Sequence, residues 1–109
     1  MLITTALEYF KYFSEKNLHA LESIYADNIT LRDWEISTQG RSKVLEVNKK
    51  TFKDLDNLQI KVLETYEKDQ TVVVELELLL DKDNSLLIVD VITFNEDNKI
   101  INIRAYKGS

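Results

Sequence analysis

Residues 86–106 read LLIVDVITFNEDNKIINIRAY. Two arms rich in β-branched and aromatic side chains, 86–94 and 99–106, flank Asn95, Glu96, Asp97 and Asn98, a run with the composition of a polar turn. The stretch therefore reads as an antiparallel hairpin. One residue does not match it. Asp90 sits between Val89 and Val91, and at the strand's period of two it shares a face with Leu86, Ile88, Ile92 and Phe94. A carboxylate in that company must be neutral, paired or open to a cavity, because a bare charge in apolar surroundings is very costly.

Upstream of the hairpin, LQIKVLETY (58–66) and TVVVELELLL (71–80) read as two further strands, with EKDQ (67–70) between them and DKDNS (81–85) leading onward. Short polar connections of this kind make antiparallel neighbours. Val72, Val74, Leu76 and Leu78 lie on one side of their strand while Val73 and Leu79 lie on the other. Such a sheet must be covered twice. Helices can cover one face, and a second copy of the chain is expected on the outer one, making a homodimer.

The N-terminal half supplies those helices. Thr5 with Glu8 three residues later has the form of a capping box, and Ile3, Ala6, Leu7, Phe10 and Phe13 follow at helical spacing, so a first helix is expected over about 5–16. Tyr9 flanks this stripe, its ring buried and its hydroxyl in need of a partner. Asn17 is placed to cap a shorter helix through Leu18, Leu21, Ile24 and Tyr25, ending at Asp27 and Asn28. His19 in its first turn reads as an exposed polar residue. ITLRDWEIS (29–37) then alternates as a strand, with Ile29, Leu31 and Asp33 on one face and Thr30, Arg32, Trp34 and Ile36 on the other. By spacing alone Asp33 is a strand-end aspartate capping a turn, and Trp34 a wall or interface aromatic. After Gly40, Ser42 is placed to cap a third helix whose narrow stripe of Val44, Leu45 and Phe52 is interrupted by the polar Asn48.

Composition limits the function. The chain has 109 residues, 44% hydrophobic and 30% charged, the size of one domain, residues 1–109, able to bury roughly two-thirds of its unfolded surface. Fourteen basic residues are scattered among nineteen acidic ones, with a net charge of −5. Nucleic acid is therefore not an expected partner, since phosphate binding needs basic residues gathered on one face. No cysteine and one histidine leave no basis for a thiolate or histidine-rich metal site. Glycine-rich phosphate loops and Gly-x-Ser-x-Gly elbows are also missing from the sequence, and no cofactor is expected. MLITTALEYFK has none of the parts of a signal peptide, and no apolar run reaches membrane-spanning length, so a cytoplasmic protein is expected.

The order helix, helix, strand, helix and then four strands resembles the nuclear-transport-factor-two-like superfamily, in its SnoaL-like and ketosteroid-isomerase-like branch. YADNITLRDW (25–34) and VDVITFNEDNKIINIRAYKG (89–108) carry the likeness. The resemblance implies an α+β cone, a strongly curved and mostly antiparallel sheet wrapped around three N-terminal helices, with a pocket at its mouth for a small apolar molecule. It also implies site residues. Tyr9 corresponds to the tyrosine of ketosteroid isomerase's first helix, Asp33 to the aspartate ending its first strand, and Asp90 to the aspartate on its penultimate strand. In that enzyme an aspartate is the base, and a tyrosine with a protonated aspartate forms the oxyanion hole. Phe13, Trp34, Phe52, Ile92 and Phe94 are expected to line the pocket. Trp34 stands where the isomerases place proline, so its ring is expected to intrude on the space a steroid would fill. The resemblance thus implies an isomerase or cyclase moving a proton beside a carbonyl. A non-catalytic ligand-binding or structural dimer module of the same fold is the alternative.

Overall fold

Period-two alternation through the second half of the chain builds a sheet, and the helical stripes of the first half lie in its hollow. The computed structural model describes residues 1–80 and 83–108. Its elements are α1 (Leu2–Ser14), α2 (Leu18–Ile24), β1 (Tyr25–Arg32), β2 (Ser37–Gln39), α3 (Arg41–Asp54), β3 (Gln59–Lys68), β4 (Thr71–Leu79), β5 (Ser85–Phe94) and β6 (Ile100–Lys107). The strands form one curved, unclosed sheet in the order β2-β1-β6-β5-β4-β3. Every pairing is antiparallel except that of β1 with β6. The expected α+β class and curved sheet are found. Among the described residues no helix is long and apolar enough to cross a membrane.

The curvature has local causes. Leu63 is an extra residue in β3, between the pairs Val62↔Leu76 and Glu64↔Glu75. β1 carries several extra residues between Tyr25↔Ile100 and Thr30↔Asn102, and β6 is irregular where Thr93 and Phe94 find their partners. Such bulges bend a strand and sharpen its twist. Across the hollow, α1 packs on β3 and β4 while α3 packs on β1 and β2. Leu2, Ala6, Tyr9 and Phe10 of α1 and Val44 and Phe52 of α3 meet Val72, Val74, Ile92, Ile100 and Ile103 in the core.

The hairpin has the anticipated turn chemistry. Asn95 Oδ1 accepts from the backbone N–H groups of Asp97 at 2.9 Å and Lys99 at 3.0 Å. Asn98 takes φ 61°, a left-handed conformation that asparagine tolerates better than most residues. β4 and β5 pair without interruption from Thr71↔Thr93 to Leu79↔Ser85. Residues 81 and 82 of the connection expected at 81–85 lie outside the described residues.

Several boundaries differ from the sequence expectation. α1 starts at Leu2 and ends at Ser14, so Thr5 lies inside it and caps nothing, while Met1 is the N-cap without a side-chain bond. Burial of Leu2 and Ala6 extends the helix upstream, tertiary packing overriding local capping chemistry. Asn17 does cap α2, its Oδ1 accepting from Ala20 N–H at 3.1 Å. That helix stops at Ile24, and Tyr25, expected in the helix, opens β1. Asp27 and Asn28 are exposed in the bulged part of this strand, where turn-forming residues serve without ending it. α3 is capped by Gly40, not Ser42. At φ 98° that position needs a residue without a Cβ.

Candidate functional site

The two long helices rest on opposite flanks of the sheet, and the space between them is open. A cavity of about 510 Å³ lies there, walled by Tyr9, Phe10 and Phe13 of α1, Val47, Asn48 and Thr51 of α3, and inward residues of β4, β5 and β6. Its size falls within the range of small-molecule pockets, roughly 300–1,000 Å³. The walls are mainly aliphatic and aromatic, and the polar groups among them are few.

Asp90 is the most consequential of these. The β4 register sets it opposite Val74, with Ala105 opposite it on β6, and it is 7% exposed. Burial, with the charge of Asp33 adding to it, pushes its carboxyl up to about 7, because a low-dielectric wall and a neighbouring carboxylate both disfavour the ionised form. Tyr9, buried on the inner face of α1, has its phenol raised well above the ordinary value by burial first and then by Tyr25 and Asp90. It therefore remains a donor. Tyr9, Asp90 and Asp33 all border this one cavity.

Asp33 follows the end of β1 at the cavity's mouth. One of its carboxylate oxygens, Oδ1, accepts from the backbone N–H groups of Glu35 and Ile36, both at 2.7 Å, and its own N–H donates to Ile36 O at 2.8 Å. This is an Asx-type turn that reverses the chain into β2. The strand expected over 29–37 is therefore two strands about a turn. Asp33 both makes that turn and borders the cavity, its Oδ2 without a described partner.

Of the other expected wall residues, Phe13 and Trp34 border the cavity. Trp34 is 43% exposed, so it forms part of the rim and leaves the interior open. Phe52, Ile92 and Phe94 do not line it. Phe52 stands behind Phe13, edge-on at a centroid distance of 4.8 Å, and Ile92 and Phe94 are buried in the core away from the cavity. Period two identifies them as inward-facing but cannot give their depth along the cone.

Asn48 was visible in the sequence only as a flaw in an apolar stripe. It is 4% exposed, borders the cavity, and its Oδ1 accepts from the Tyr25 hydroxyl at 2.7 Å. A polar residue between Val44 and Phe52 at successive four-residue steps was the available signal. Among the described residues no group of three or more His, Cys, Asp or Glu is placed to hold a metal ion. His19 is exposed and apart from the cavity.

The SnoaL-like domain model matches residues 6–103. The chain belongs to the SnoaL-like family. No curated protein matches this SnoaL-like chain in sequence. Among solved structures it is similar to a SnoaL-like protein of unknown function from Burkholderia thailandensis, with TM-score 0.88, 15% identity, and coverage of 99% of this chain and 94% of that one. A protein from Jannaschia sp. CCS1, provisionally named a SnoaL-like polyketide cyclase, has TM-score 0.86 at 14% identity, covering 97% and 84% of the two chains. One from Kribbella flavida, provisionally named a ketosteroid isomerase, has TM-score 0.82 at 15% identity, covering 95% and 75%. At such identities the likeness shows the SnoaL-like fold alone.

Proposed function

We propose that this SnoaL-like protein binds a small apolar carbonyl compound in its cavity and moves a proton at the carbon beside the carbonyl, as an isomerase or cyclase does. The observation that carries this is the grouping of Tyr9, Asp90 and Asp33 around one apolar cavity, with Asp90's carboxyl pushed up to about 7. A protonated Asp90 and the Tyr9 phenol would donate to the carbonyl oxygen as it gains enolate charge. Asp33, its Oδ2 without a partner among the described residues, would take the proton from one carbon and return it to another. The provisional names of relatives as isomerases and polyketide cyclases agree with this class of chemistry.

The test is incorporation of solvent deuterium beside the carbonyl of β-tetralone, followed by mass spectrometry. Asp33→Asn keeps an Oδ1 acceptor for the turn, so the variant should fold, bind the ketone and lose exchange by about 100-fold or more. Exchange at the parent rate would exclude Asp33 as the base. Binding without any exchange in the parent would favour a ligand carrier on the same fold.

We further propose that a second copy of the chain covers the outer face of the sheet. Leu63, Tyr66, Leu87 and Tyr106 are exposed there, and the charges flanking them are segregated. Glu64 stands opposite Glu75 at the β3–β4 end, while Arg32 stands beside Arg104 at the β1–β6 end. Each like-charged pair is unfavourable within one chain. A two-fold axis through the sheet would bring each acidic pair to the partner's basic pair.

A further inference from the structure

The polar side of the cavity extends beyond Tyr9 and Asp90. The ring of Tyr9 lies 6.4 Å from that of Tyr25, and the Tyr25 hydroxyl is 2.7 Å from Asn48 Oδ1. Tyr25 does not border the cavity, whereas Asn48 does. Asn48 is the described partner of the Tyr25 hydroxyl, which must therefore donate to it, since a phenol carries one proton and seeks an acceptor for it when buried. The amide is thereby oriented with its carbonyl toward the Tyr25 hydroxyl. Its Nδ2, with two N–H donors, has no partner among the described residues. Asn48 borders the cavity while its Oδ1 is held by Tyr25, so Nδ2 is the polar atom it has left for a ligand there.

We infer that Asn48 is a second ligand-binding donor, oriented by Tyr25, and that the ligand is an apolar molecule with two acceptor oxygens, a carbonyl at Tyr9 and Asp90 and an ether, ester or second carbonyl at Asn48. This rests on the proposed function, which supplies the first oxygen. An amide donor buried without an acceptor costs free energy, and a site built to pair it rejects analogues that leave it unpaired. Asn48 touches the ligand, and Tyr25 is a positioning residue acting through it. Rotation of the amide would present an acceptor to the ligand instead of donors, so Tyr25 sets which hydrogen-bonding type the cavity accepts.

The experiment compares β-tetralones carrying a methoxy group at each free aromatic ring carbon with their ethyl twins of the same shape, and with hydroxymethyl analogues that add a donor. Binding is followed by calorimetry. In the parent protein at least one methoxy isomer should bind about 10-fold more tightly than its ethyl twin, and Asn48→Leu should erase that preference while changing the ethyl twin's affinity by less than about 3-fold. Tyr25→Phe leaves Asn48 in place but frees its amide to rotate. It should narrow the methoxy preference and raise the relative affinity of the hydroxymethyl analogue, a reversal that loss of packing would not produce. Equal binding of methoxy and ethyl twins in the parent, or a preference that survives Asn48→Leu, would overturn the inference and leave the function proposed for Tyr9, Asp33 and Asp90 standing. Failure of every tetralone to bind would remove both.

Discussion

Asp90 holds two roles in conflict, a core position and an ionisable side chain, and its titration exposes the conflict. Its folded value of about 7 lies above the ordinary 3.8, so between those two values the native state keeps a proton that the unfolded state has released. Stability must therefore fall as pH rises through that window and level off above it. From about pH 5 to about pH 8 the loss should approach roughly 2–3 kcal/mol. Asp90→Asn removes the titrating proton, and urea unfolding at the two pH values should show most of that difference gone. An undiminished difference would assign the titration to another group. That Asp90 is unusual was legible from LLIVDVITF alone, since period two fixes its face and apolar neighbours fix its surroundings. The space it looks into was not legible, because it depends on how far apart α1 and α3 stand. Asn48 was hidden for a related reason: its partner Tyr25 is 23 residues away, in a segment with the pattern of a helix.

At the scale of elements, local chemistry decided some boundaries and long-range packing decided others. The β5–β6 turn was readable because Asn95 forms its hydrogen bonds within four residues, and Asn17 caps α2 equally locally. Ser42 looked as suitable as Asn17, yet Gly40 takes that position because the chain arrives from β2 at positive φ. Asn95→Ala should lower stability by about 1–2 kcal/mol through the two lost backbone contacts, whereas Ser42→Ala should stay within about 0.5 kcal/mol, as for an ordinary surface position. The measurement is the urea midpoint at unchanged slope. A Ser42 effect as large as that of Asn95 would restore the cap to Ser42. The β1 boundary could not be read because the strand opens with a bulge, whose Asp27 and Asn28 have the composition of a break. Asp27 there instead pairs with Arg41 at 2.8 Å, joining the bulge to the start of α3.

For the whole molecule, the proposed association through the outer face would depend on charge as well as apolar area. Sedimentation equilibrium should report a dimer, and Arg104→Glu should weaken it by about 10-fold or more by setting acid against acid. Adding Glu75→Arg should recover much of the loss, as a directly coupled pair requires. A monomer mass independent of concentration would overturn the proposed second copy. A different property follows from the parallel pairing of β1 with β6, in which Leu31 meets Ile103 across about two-thirds of the chain's length. The sheet is not one piece until β6 is in place, since β6 alone joins the β1–β2 wing to the β3–β5 wing. Until β6 pairs with both neighbours, Asp33 and Asp90 belong to unconnected sheet fragments, each with an open edge. Their mutual influence is thus acquired late, and the search for this distant pairing should set the folding rate.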